Sequence, residues 1–202
     1  MTTATAQGAY WQDLHAARAE SPDLDVVICP GHTKTLNRLV ARCQEASFSR
    51  ALARIGSLAG LRTLDVGCGI GRWLERVARE GAEATGVDLS ADAVREAQRR
   101  CPSATVVQRS ATQLGFPGGM FDLVTSVTVL QHLPPAEQPV AIAELCRCVK
   151  PGGFLLLMEQ IGWPSSADRT DGRVTFPRPP SDRKSTRLNS SHSAKSRMPS
   201  SA

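Results

Sequence analysis

Asp65, the alternate glycines Gly67, Gly69 and Gly71, and a second aspartate, Asp88, are the residues whose types and spacing point to ligand chemistry. An ionised carboxylate only accepts hydrogen bonds, so it suits an ammonium group or a pair of hydroxyls. Glycines allow positive φ and let a ligand approach bare main chain. Where such a loop runs from a strand into a helix, backbone N–H groups and the positive helix end meet at one point. The combination describes a cradle for a nucleotide-like ligand. His132, followed closely by Pro134 and Pro135, is the best general-base candidate, because an unperturbed imidazole titrates near pH 6.5.

The elements that must hold these residues alternate between strand and helix. Residues 61–66 form an apolar run that reads as a buried strand, and 70–80 settle into helical spacing. Residues 82–87 read as a second strand ending at Asp88, which lies 21 positions after Gly67. An acid at that strand tip suits ribose hydroxyls. The competing role, a helix N-cap, is already filled by Ser90 ahead of a helix over 91–100. A third strand is expected over 104–108, a fourth over 120–127 and a buried apolar fifth over 154–159. Pro134 and Pro135 are expected to open a helix over 136–149. Apolar positions from Leu36 to Ile55 follow helical spacing ahead of the first strand.

The order of the glycines selects among ligands. A dinucleotide fingerprint, G-x-G-x-x-G, would need glycine at position 72, which is Arg72. The pattern from Asp65 to Gly71 instead resembles motif I of the class I S-adenosylmethionine-dependent methyltransferases. Phe121-Asp122-Leu123-Val124 and Lys150-Pro151-Gly152-Gly153 resemble further signatures of that family. The resemblance spans residues 61–159. It implies an α/β fold, a doubly wound Rossmann-like and mostly parallel sheet in the order 3-2-1-4-5, with helices on both faces. The family's last two strands have no counterpart in the sequence, so residues 154–158 are expected to form an exposed apolar edge.

The resemblance also implies roles. Asp65, Gly67, Cys68, Gly69 and Gly71 would face the methionine part of S-adenosylmethionine, with S-adenosylhomocysteine as product. Asp88 and Leu89 would face the ribose, Ser110 and Ala111 the adenine, and Val127 would line the site from the fourth strand. Ser110 stands where the family commonly has an acid, and Gly115 where it commonly has proline. The N-terminal segment, with Tyr10 and Trp11, would cap the pocket. The implied reaction is direct methyl transfer to a small-molecule acceptor, with His132 as base where the nucleophile is protonated. Ser126-Val127-Thr128-Val129 replaces the Asn/Asp-Pro-Pro-aromatic motif of relatives that methylate nucleic-acid bases. Two other readings compete: a nicotinamide-dependent oxidoreductase, disfavoured by Arg72, and a non-catalytic partner protein that kept the fold.

Composition agrees with one globular α/β domain: 202 residues, 41% hydrophobic and 21% charged. The net charge of +5 does not indicate nucleic acid, because it belongs to the tail. Five of the 24 basic residues and one of the 19 acidic ones lie in residues 182–202, leaving 19 against 18 in the body. That tail resembles the conceptual translation of a common short-read sequencing adapter and is expected to stay disordered, outside the fold. No apolar run long enough for a membrane span and no signal-peptide pattern is seen. The six cysteines lack metal-binding or redox-motif spacing, so no metal and a cytoplasmic setting are expected. The organisation read from sequence is a cap segment over 1–34, a domain over 35–164 with its cofactor core at 61–159, an irregular segment over 165–181, and the tail.

Overall fold

The computed structural model describes residues 10–13, 33–159 and 194–197. Five of the sheet's six strands are parallel: β1 (Arg62–Val66), β2 (Glu83–Asp88), β3 (Thr105–Gln108), β4 (Phe121–Val127) and β5 (Val149–Met158). Their order is β3-β2-β1-β4-β5, as expected of a doubly wound sheet. β1 and β4 lie centrally and are buried on both faces, which explains their continuous apolar runs.

Each face of the sheet carries helices. On one, α1 (Lys34–Ile55) and α2 (Arg72–Arg79) bring Phe48, Leu52, Trp73 and Leu74 against Leu123 and Leu156. On the other, α4 (Gln138–Cys148) packs Ala141 and Leu145 on Leu64, Val66 and Leu155. α3 (Ala91–Arg100) connects β2 to β3 and buries Ala93 and Ala97. Fully burying one such leucine contributes about 1.5–3 kcal/mol.

Three observations differ from the sequence-based expectation. The helix expected from residue 136 begins at Gln138, after a 3-10 turn at Leu130–His132. Glu137 N and Gln138 N both bond to Pro134 O, and Pro139 has no N–H to extend the helical ladder backwards. Lys150-Pro151-Gly152-Gly153, which precedes the strand expected over 154–159, forms an irregularity within β5. The pairing jumps from Phe121↔Val149 to Leu123↔Phe154, with Gly152 at φ 77°.

The third difference is at the edge of the sheet. β6 (Ala194–Arg197) pairs antiparallel with β5, from Phe154↔Arg197 to Leu157↔Ala194. The edge expected to be exposed is therefore covered by four residues of the tail expected to lie outside the fold. An unpaired apolar strand is a template for any extended segment, which gives the physical reason. The segments 1–9, 14–32, 160–193 and 198–202, and with them most of the expected cap segment and tail, lie outside the described residues.

Candidate functional site

The carboxyl ends of β1 and β2 bring together the residues singled out from sequence. Asp65 is the penultimate residue of β1, 2% exposed, and pairs in register with Gly86 and Thr125. Thr125 Oγ1 donates to its Oδ1 at 2.8 Å, while Oδ2 is buried with no hydrogen-bond partner. Burial pushes the Asp65 carboxyl up to about 7, with Asp88 adding repulsion and Thr125 and the Leu74 amide opposing. A buried acid in this state lacks a cationic or donor group on one side.

The glycine loop then turns into α2. Gly67, Gly69 and Gly71 all adopt positive φ, at 70°, 53° and 89°. They differ in what surrounds them. A Cβ on Gly67 would lie 2.3 Å from Val129 Cγ2, and one on Gly71 3.2 Å from Ala97. A Cβ on Gly69 would meet nothing within 4 Å, so Gly69 borders the open side of the cradle. Several loop amides expected to be open to a ligand already have partners. Gly67 N and Cys68 N bond to Val87 O, Gly71 N bonds to Cys68 O, and Gly69 N donates to Asp88 Oδ2 at 2.8 Å. Cys68 is buried, and burial holds its thiol well above the usual range.

Asp88 is more engaged than its sequence position suggested. Oδ1 accepts from Ser90 N at 2.9 Å while Oδ2 clamps Gly69 N. Ser90 caps α3 through Ala93 N, so the cap role does fall to the serine. Each carboxylate oxygen keeps a second lone pair for a hydroxyl donor. Leu89 beside it is 41% exposed, an apolar surface next to the acid.

Ser110, by contrast, is turned into its own loop. Its Oγ lies 2.8 Å from Thr112 Oγ1 and accepts from Thr112 N. Ala111 packs on the core that α4 forms with the sheet. Gly115 adopts φ 66°, which proline cannot, and a Cβ there would collide with the Arg109 guanidinium lying over Phe116. Arg72 reaches back to α1, donating to Gln44 Oε1 at 2.7 Å and Ala41 O at 2.9 Å. It anchors the first helix on the cofactor loop.

The loop after β4 completes the site. Val127 ends the strand, 7% exposed, and Thr128 follows at φ 56°. His132 Nε2 lies 3.2 Å from Gln131 Nε2, and its ring meets Trp11 edge-on at 4.7 Å. An amide nitrogen only donates, so His132 Nε2 accepts and the neutral ring carries its proton on Nδ1. Thus Trp11 packs against the His132 ring. Thr125, Val129 and Glu159 also shape the site and carried no local sequence signal.

The methyltransferase domain family matches residues 63–153, the stretch that holds this geometry. Over these residues the chain is similar to the class I S-adenosylmethionine-dependent methyltransferases in both sequence and strand order. Two curated relatives illustrate the likeness. The 2-methyl-6-phytyl-1,4-hydroquinone methyltransferase of Synechocystis sp. is 37% identical over 130 residues, covering 60% of this chain and 39% of that one. The ubiquinone biosynthesis O-methyltransferase of Methylococcus capsulatus is 39% identical over 103 residues, covering 48% and 42%. The chain thus spans about two-fifths of the length of these relatives. Among solved structures, magnesium protoporphyrin IX methyltransferase from Synechocystis PCC 6803 with bound S-adenosylmethionine is 26% identical with a TM-score of 0.57, covering 75% of this chain and 74% of that one. Among the described residues no helix is long and apolar enough to cross a membrane.

Proposed function

We propose that the protein transfers a methyl group from S-adenosylmethionine to a hydroxyl on a small aromatic ring of the hydroquinone or phenol kind. The observation that carries the cofactor assignment is Asp65 Oδ2, buried without a partner beneath a glycine loop whose Gly69 faces open space. An amino-acid ammonium supplies the missing charge and donors, and draws the Asp65 carboxyl back to its ionised form. When bound, the cofactor supplies a methyl group made electrophilic by its sulfonium.

The chain's residues then have distinct tasks. Asp65 holds the ammonium end, and Asp88 offers its remaining lone pairs to the ribose hydroxyls beside Leu89. The 110–111 loop gives backbone and an apolar surface to the adenine, with no contribution from the Ser110 side chain. His132 Nε2 takes the proton of the acceptor hydroxyl in place of the Gln131 amide, and Trp11 walls that side. Alignment of the two reactants supplies most of the rate, about 7–11 kcal/mol in well-oriented systems. The acceptor class is supported by the two curated relatives, both named for quinone or hydroquinone chemistry.

The test is incubation with S-adenosylmethionine and methylhydroquinone, followed by mass spectrometry. One added methyl on the acceptor, with stoichiometric S-adenosylhomocysteine, is the expected result. S-Adenosylhomocysteine binding without any methylated product, across a panel of phenols and hydroquinones, would overturn the acceptor assignment.

A further inference from the structure

Glu159, one residue past β5, accepts from three consecutive backbone amides across the site. Val129 N and Leu130 N reach Oε1 at 3.2 and 3.1 Å, and Gln131 N reaches Oε2 at 3.2 Å. These amides open the 3-10 turn at Leu130–His132, where the first N–H groups find no acceptor within the turn itself. Bonds to an ionised acceptor are stronger than neutral ones, so three of them together tie the segment to the end of β5.

The segment needs such a hold. It leaves β4 through Thr128, the only non-glycine residue at positive φ among the described residues. A conformation of that kind persists only where the surroundings enforce it. Thr128 N bonds to Met158 O at 2.7 Å, so the ends of β4 and β5 are joined immediately before the Glu159 contacts. Val129 then lies against Gly67, and three residues further on His132 meets Gln131 and Trp11. One carboxylate thereby fixes a segment that touches the cofactor loop at one end and carries the base at the other.

We propose that Glu159 is a positioning residue that locks residues 129–132 and keeps the acceptor side of the site in register with the glycine loop. The proposal rests on the cofactor reading above. Gly67 and Cys68 keep their own bonds to Val87 O, so the cradle stands without Glu159. The placement of His132 does not.

The test uses the full chain and Glu159→Gln, which keeps the side-chain length but replaces one acceptor oxygen by an NH2 group. Amide hydrogen exchange at Val129, Leu130 and Gln131 is expected to rise at least tenfold, and the Trp11–His132 nuclear Overhauser contact to weaken. S-Adenosylhomocysteine affinity stays within twofold, while turnover of methylhydroquinone falls about tenfold or more. In the double variant with His132→Asn the two losses are less than additive, because they act through one group. Glu159→Asp, which keeps the charge on a shorter arm, is expected to lie between.

Unchanged exchange, or raised exchange with unchanged turnover, would overturn the proposal. So would loss of S-adenosylhomocysteine binding together with cooperative melting in both variants, since Glu159 would then serve the fold as a whole. Exchange and the Overhauser contact need no acceptor, so they decide the matter if the probe is not turned over. A wild type that binds no S-adenosylhomocysteine defeats the cofactor reading itself, and the role of Glu159 with it.

Discussion

Asp65 and Asp122 sit on neighbouring strands of one sheet, one at each end, and their environments are opposite. At the amino end, burial works against the Asp122 charge. Lys150 Nζ at 2.6 Å and Arg62 N at 3.0 Å more than offset it and hold the carboxyl below its usual range. At the carboxyl end, Asp65 is fully buried, has one oxygen without a hydrogen-bond partner and no cation beside it among the described residues, and is pushed up to about 7 despite Thr125 and the Leu74 amide. The difference teaches where the molecule is electrostatically complete and where it carries an unsatisfied acid. Parallel doubly wound sheets bind ligands outside the carboxyl ends of their strands, and the unsatisfied acid marks that end here.

The largest effect that would sharpen this contrast is at Gly67. Gly67→Ala must place a methyl 2.3 Å from Val129 Cγ2 at φ 70°. A loss of about 3–5 kcal/mol in urea unfolding is expected, from strain and overpacking together. Gly69→Ala, facing open space at φ 53°, should cost only about 1 kcal/mol of folding stability, while weakening S-adenosylhomocysteine binding at least tenfold. Equal unfolding losses in the two variants would break the distinction between the packed and open sides of the loop.

Next comes Asp65→Asn. A folded-state value of about 7 against 3.8 unfolded means that the folded state holds the proton more tightly, so wild-type stability falls as pH rises from about 4 to 7. The penalty present at pH 8 is on the order of 4 kcal/mol, and the buried amide retains part of it. Asp65→Asn should therefore be more stable than wild type by about 1–3 kcal/mol at pH 8, with the gain shrinking towards pH 5. Its cofactor affinity should fall by roughly 100-fold, since the ammonium loses its counter-charge. Thermal melting across pH, paired with calorimetry, reads both.

The smallest expected effect is at the other end. Asp122→Asn has the opposite sign: a carboxyl held low contributes stability above its unfolded pKa and loses it as pH falls through the folded value. The pair is partly exposed and screened, so a loss of about 1 kcal/mol at pH 7 is expected, with no change in ligand binding. A stabilised Asp122→Asn protein would erase the contrast between the two ends.

Much of the architecture was legible because period and punctuation are local. Buried parallel strands read as apolar runs, and α3 matched the expected bounds of 91–100 behind Ser90. The same applies to Asp65 and Asp88, whose positions follow from strand ends. Their states were not legible. That Asp88 clamps Gly69, that Asp65 leans on Thr125, and that Ser110 folds onto Thr112 depend on contacts or rotamers that spacing does not encode. Glu159 is the extreme case, since its three partners lie 28 to 30 residues away. The β5 edge was misread for a related reason. Pairing by an extended segment requires only an available backbone, so no side-chain pattern announced β6.

The central claim is that Asp65 is the unpaired acid of a S-adenosylmethionine site. Calorimetric titration of the full chain with S-adenosylhomocysteine at pH 8 and pH 6 tests it most directly. With the free carboxyl near 7 and the bound form ionised, affinity should be about tenfold weaker at pH 6, with proton release growing in step. No binding at millimolar ligand, or an affinity that does not change between the two pH values, would contradict it.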